Sequence, residues 1–125
     1  MYLLRVSSVT VTRPLDPEFT ISTDSLANNI RKLIVCERIN VFGLKIVKNG
    51  KNSTELTIRL INPVNLTNDI VTRSEISKKV AKTLKTVLKS PTDYSRYKVL
   101  FVIEGKNGAT TNTRSTGNIY ESKEL

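Results

Sequence analysis

The chain has 125 residues, 38% of them hydrophobic, and sets twenty Lys and Arg against eleven Asp and Glu for a formal charge of +9. A chain this long buries enough surface to hold one core without staples, so it reads as a single α+β domain over residues 1–125. The lone cysteine excludes an intramolecular disulfide and any multi-cysteine zinc site, and the absence of histidine excludes serine–histidine and cysteine–histidine mechanisms.

Residues 2–12 alternate as a strand, with a change of phase across Ser7-Ser8 that a bulge would absorb. Pro14 and Pro17 then predict a break into a loop, with a short extended piece at Phe19 and Ile21. A first helix is predicted over 25–35, capped by Thr23 or Asp24, with Leu26, Ile30, Leu33 and Ile34 on one face, an extended Leu33 to Cys36 being the alternative. Cys36 ends the apolar stretch that follows and reads as a small buried residue rather than a reactive thiol.

Residues 39–48 and 52–61 alternate on either side of Asn49-Gly50, the strongest hairpin signal in the chain. A two-residue loop would set Phe42, Leu44 and Ile46 opposite Thr57, Glu55 and Ser53. A three-residue loop ending in a left-handed Gly50 puts them on one face with Leu56 and Ile58 and is the expected register. Phe42 and Phe101 are expected in the core. A second helix is predicted over 73–89, starting at Thr72 or Ser74 and stopped by Ser90-Pro91, with Ile76, Val80, Leu84, Val87 and Leu88 on its core face.

Residues 97–103 form an almost wholly apolar strand. Asn107-Gly108 marks a second hairpin, leading to a polar edge strand near 110–120, and residues 121–125 read as a frayed end. The expected fold is thus an antiparallel sheet of four to five strands with two helices on one face, in the order β-α-β-β-α-β-β. That order is ferredoxin-like with an added edge strand, and a cystatin-like sheet around a helix is the alternative.

Candidate functional groups are cationic. Lys78, Lys82, Lys85 and Lys89 recur at three- and four-residue spacing and make one basic stripe opposite the apolar face of the second helix. With Arg114 on the polar strand they form the predicted anion- or partner-binding set. Glu75 alone adds nearby negative charge, and the negative end of the helix dipole accounts for Lys85 and Lys89 but not for Lys78 and Lys79. A solvated surface face remains the plain alternative.

Other motifs carry less. Asp16, Glu18 and Asp24 fit no calcium-loop spacing and read as turn and capping residues. The glycines of residues 105–111 lack the Gly-Lys-Ser/Thr ending of a phosphate cradle and read as a hairpin turn. Two glycosylation tripeptides, at Asn52 and Asn65, matter only in a secreted eukaryotic protein. Of the seven aromatics, none falls in the strand at 54–61, so the RNA-recognition-motif signature is missing. No stretch approaches the length of a membrane span.

Residues 84–102 (LKTVLKSPTDYSRYKVLFV) and the ending Ser122-Lys123-Glu124-Leu125 resemble the C-terminal half of small uncharacterised bacterial proteins, many of them similar to lipoproteins or exported envelope proteins. The resemblance implies an envelope or extracytoplasmic setting, periplasmic or anchored through a missing N-terminus, without implying an activity. There is no lipobox cysteine, which leaves a cytoplasmic setting open. The expectation is a non-enzymatic module, without cofactor or metal, that binds a protein or anionic surface. A nucleic-acid accessory protein and a structural part of an envelope assembly are the competing expectations.

Overall fold

The computed structural model describes residues 10–64, 66, 68–108 and 110–125. Five strands form one sheet: β1 (Thr10–Leu15), β2 (Cys36–Lys48), β3 (Lys51–Pro63), β4 (Arg96–Asn107) and β5 (Thr110–Glu121). Two helices, α1 (Thr23–Arg31) and α2 (Ile70–Val87), follow β1 and β3. The class is α+β.

The sheet is mixed, not antiparallel as expected. Its strands lie side by side in chain order, and β3 and β4 run parallel. The reason is the connection: a helix of eighteen residues carries the chain back along the sheet, so the next strand starts from the same end. A ferredoxin-like sheet would interleave its halves. Here β1 pairs only with β2, antiparallel and at the edge. Two helices contribute to the core, which also sets the fold apart from a sheet wrapped around a single helix.

Strand β1 runs through Pro14 rather than stopping there, because an edge strand has one hydrogen-bonding side and tolerates a missing N–H. The expected strand at 2–9 lies outside the described residues. Phe19 makes an isolated bridge to Leu88. Helix α1 is capped by Ser22, whose hydroxyl accepts from Ser25 N at 3.1 Å, one residue before the expected caps. It ends at Arg31, and Ile34 is buried beyond the helix rather than on it.

The β2–β3 hairpin overturns the expected register. Lys48 pairs with Lys51 across a two-residue loop in which Asn49 and Gly50 both have positive φ, 52° and 77°. That is the primed turn whose twist matches the strands, and it wins over hydrophobic matching. Phe42 therefore sits opposite Thr57, Leu44 opposite Glu55 and Ile46 opposite Ser53. Phe42 is 38% exposed and is not a core residue, whereas Phe101 is. Instead Ile39 and Val41 pack against the core cluster, paired with Leu60 and Ile58.

The core lies between the sheet and the helices. Leu56, Ile58 and Leu60 of β3 and Tyr97, Val99 and Phe101 of β4 meet Leu26 and Ile30 of α1 and Val80, Ala81 and Leu84 of α2. Each of the fully buried Leu, Ile and Val side chains contributes about 1.5–3 kcal/mol. Gly43 is required by packing: a Cβ there would lie 2.3 Å from Leu15 O and 2.7 Å from the Tyr94 hydroxyl. Cys36 is buried as expected, and burial pushes its thiol up despite the opposing effect of Arg31.

The C-terminus is not frayed. Residues Ser122–Glu124 form a short 3₁₀ turn closed by reciprocal bonds between Glu121 and Glu124, and Leu125 packs against the core. Asn107 pairs with Thr110 around a left-handed Gly108, so the glycine-bearing segment is a hairpin turn and β5 is the sheet edge.

Candidate interaction surface

Helix α2 starts three residues earlier than the sequence pattern predicts. The Asp69 carboxylate caps it, accepting from Val71 N at 3.2 Å and Thr72 Oγ1 at 2.7 Å. The bond from Thr72, then that from Val71, hold the carboxyl below its usual range. Thr72 and Ser74, the expected starts, lie inside the helix.

Three contacts fix how α2 is turned about its axis. Val80, Ala81 and Leu84 are buried toward the sheet. The fully buried Ser77 bonds the Tyr120 hydroxyl of β5, and Asn118 donates to Ser77 Oγ at 2.8 Å. At the N-terminal end Arg73 donates to Thr116 Oγ1 at 2.7 Å and lies 5.9 Å over the Phe101 ring. These contacts leave Lys78, Lys79 and Lys82 on the exposed side. On a regular helix Lys78 and Lys82 differ by only about 40° in direction.

The remaining predicted residues diverge from that pair. Lys85 turns to the end of the chain, where Nζ donates to Ser122 O at 2.7 Å and Leu125 O at 3.3 Å. Its role is to tie down the C-terminal turn. Lys89, just past α2, is exposed but lines a cleft of ≈ 260 Å³ with Asp16, Glu18, Asp93 and Tyr94. Three carboxylates line the same cleft, none of them within 4.0 Å of its ammonium. Of the acidic trio read from the sequence, Asp16 and Glu18 meet at this cleft, while Asp24 lies in the first turn of α1. The Tyr94 phenol is pushed up by burial and then by Asp93 and Asp16.

Arg114 is exposed on β5, opposite Ile103, in a shallow groove with Gly105, Asn112 and Thr113. It is two residues along β5 from Thr116, hence near the N-terminal end of α2, whereas Lys89 follows the other end. Over eighteen residues α2 is about 27 Å long. The five predicted residues therefore do not form one site. Lys78 and Lys82 come together, with Lys79 beside them.

Neither ammonium group of that pair has a carboxylate oxygen within 4.0 Å among the described residues, where the ion pair seen is Arg38–Glu104 at 2.8 Å. Glu75, one turn before Lys78 and Lys79, is the nearest acid in sequence.

The sequence reading missed the exposed apolar side chains at the head of α2. Ile70 is 78% and Val71 65% exposed, and Val64, before the helix, is 54% exposed. Placing the helix start at residue 73 left Ile70 and Val71 in a loop, where their exposure could not be read. The Asp69-Ile70-Val71-Thr72 run, a cap followed by helix, was the available signal.

No helix among the described residues is long and apolar enough to cross a membrane. Comparison with family models, curated proteins and solved structures finds no match for the chain.

Proposed function

We propose that the protein is a non-enzymatic binding module that engages an anionic surface through the outward side of α2, with Lys78, Lys79 and Lys82 as the contact charges. The observation that carries the reading is the exposure of these ammonium groups with no carboxylate within 4.0 Å among the described residues, on a helix whose other side is locked to the sheet. Their cost to the fold is small: like charges one turn apart oppose the helix by a few tenths of a kcal/mol. A formal charge of +9 supplies the long-range attraction, and the lack of any histidine removes the usual general base.

Three lysines contacting a polyanion release about three counterions, so the logarithm of affinity should fall with the logarithm of salt at a slope near −3. Retention on heparin measured across salt tests this. Lys78→Glu with Lys82→Glu should elute at markedly lower salt with an unchanged circular dichroism spectrum. Equal retention of the double variant and the parent would remove α2 as the binding element.

A further inference from the structure

We infer that the anionic surface recognised by α2 is a lipid bilayer, with Ile70 and Val71 at the head of the helix entering the interface while the lysines meet the headgroups. The inference rests on the proposed basic face and adds the apolar half of the contact. Ile70 and Val71 occupy the first turn of α2, and both are more than half exposed. Val64, which precedes the helix, is also exposed, and its N–H donates to the O of the exposed Val35 at 2.8 Å.

Neither the Ile70 nor the Val71 side chain belongs to the core cluster, although Ile70, on the sheet-facing side of α2, borders a depression with Arg73, Phe101 and Thr116. The α2 seam is made by Ser77, Val80, Ala81 and Leu84, and the cap is made by Asp69. Branched apolar residues in the first turn of a helix gain nothing in water and are poorer helix formers than Ala or Glu. Val71 lies about 20° around the helix from Lys78 and from Lys82 and shares a shallow depression with Ile70, Glu75 and Lys78, so an apolar side chain borders the basic face; at a membrane surface such side chains sink about 5–10 Å below the headgroups.

The spacing agrees with the charge complementarity. At about 1.5 Å rise per residue, Lys78 lies about 10 Å along the axis from Val71 and Lys82 about 16 Å. With the helix head lowest, Lys78 reaches the phosphate layer and Lys82 stays within about two Debye lengths of it. Two acids stand by this end of α2, Glu75 and the capping Asp69, against Lys78, Lys79 and Lys82, and the Asp69 carboxylate is engaged by Val71 N and Thr72 Oγ1. A bare polyanion would use the lysines equally well but would gain nothing from Ile70 and Val71. That difference separates the two.

Co-sedimentation with vesicles of phosphatidylcholine, with and without 30% phosphatidylglycerol, tests the inference alongside heparin retention and light scattering. The intact chain should partition to the anionic vesicles and not to the neutral ones. Ile70→Ser with Val71→Ser should lower that partitioning at least ten-fold, from the loss of two buried apolar side chains, while heparin retention stays unchanged. Lys78→Glu with Lys82→Glu should lower both, by about five-fold or more per residue at the vesicle. If the serine variant partitions as the parent does, the bilayer contact is wrong and the basic face stands. Retention on heparin or DNA with no vesicle binding also overturns it, in favour of a soluble polyanion. A dimer that the serine variant converts to monomer overturns it in favour of a second copy at the apolar head. Loss of neither binding mode in the lysine variant removes the basic face itself.

Discussion

Replacing Tyr120 by Phe removes one hydroxyl from the seam between α2 and β5, and the cost follows from what that hydroxyl touches. It donates to Ser74 O at 3.1 Å and bonds Ser77 Oγ. Ser77 Oγ keeps two other partners, Ser74 O at 3.2 Å and the Asn118 amide at 2.8 Å, so the variant strands no buried group completely. The loss is then that of an ordinary net hydrogen bond, about 1 kcal/mol. Ser77→Ala deprives both Tyr120 and Asn118 of a partner. Tyr120 retains Ser74 O and Asn118 is only half buried, so about 1–2 kcal/mol is expected, less the helix propensity gained with alanine. The link between Ser77 and Tyr120 is lost in either single variant. The double variant should therefore fall short of the sum by about 1 kcal/mol. Urea unfolding followed by far-ultraviolet circular dichroism measures all three. Strict additivity, within about 0.3 kcal/mol, would mean that the two hydroxyls do not act on each other and that α2 is not pinned there.

Three further perturbations bear on how the surface is held. Gly43→Ala should destabilise the protein by about 1–3 kcal/mol, because the new methyl meets Leu15 O and the Tyr94 ring; a stability equal to the parent's in urea would refute that packing. Asp69→Ala should lower the melting temperature at pH 6. The folded carboxyl is held below its unfolded value, so the cap's contribution is fully present above pH ~4 and is lost as pH falls through the folded value. A gap between parent and variant that stays constant from pH 6 to pH 2 would contradict this. Lys85→Met should speed amide exchange at residues 122–125 without weakening heparin retention, since its ammonium is spent on Ser122 and Leu125.

Most of the elements were legible because local chemistry and burial agree there. The apolar arc of α2, the two Asn-Gly turns and the continuous apolar run of β4 each signal one structure at short range. The hairpin register was not legible by hydrophobic matching, since Phe42, Leu44 and Ile46 face away from the helices, and turn geometry at Asn49-Gly50 decided the pairing. The parallel β3–β4 pair escaped because an eighteen-residue helix can lead to either neighbour, and no residue marks which. Pro14 was misread for a related reason. Whether a proline ends a strand depends on whether that strand is an edge, which is a property of the whole sheet.

The candidate surface was half legible on the same grounds. Spacing identified the lysines on the outward arc, but spacing treats all members of a stripe alike. The structure separates them by their surroundings: backbone oxygens bonded by Lys85, a cleft shared with three carboxylates for Lys89, a depression shared with Glu75 for Lys78, and no acid within 4.0 Å of Lys78, Lys82 or Lys89 among the described residues. The separation depends on the turn of the helix about its axis, and apolar packing alone fixes that loosely, because Val, Ala and Leu can slide past one another at little cost. A buried hydroxyl cannot, since leaving it unmatched costs about 1–3 kcal/mol. Ser77 stands where alanine would pack as well, and with Tyr120 and Asn118 it locks α2 in the one orientation that carries Lys78 and Lys82 outward. Removing both hydroxyls should therefore broaden the orientation of α2 and weaken anion binding, although no contact residue is touched. Unchanged heparin retention in the Ser77→Ala, Tyr120→Phe variant would show that the lysines act as loose charge, indifferent to how the helix is set.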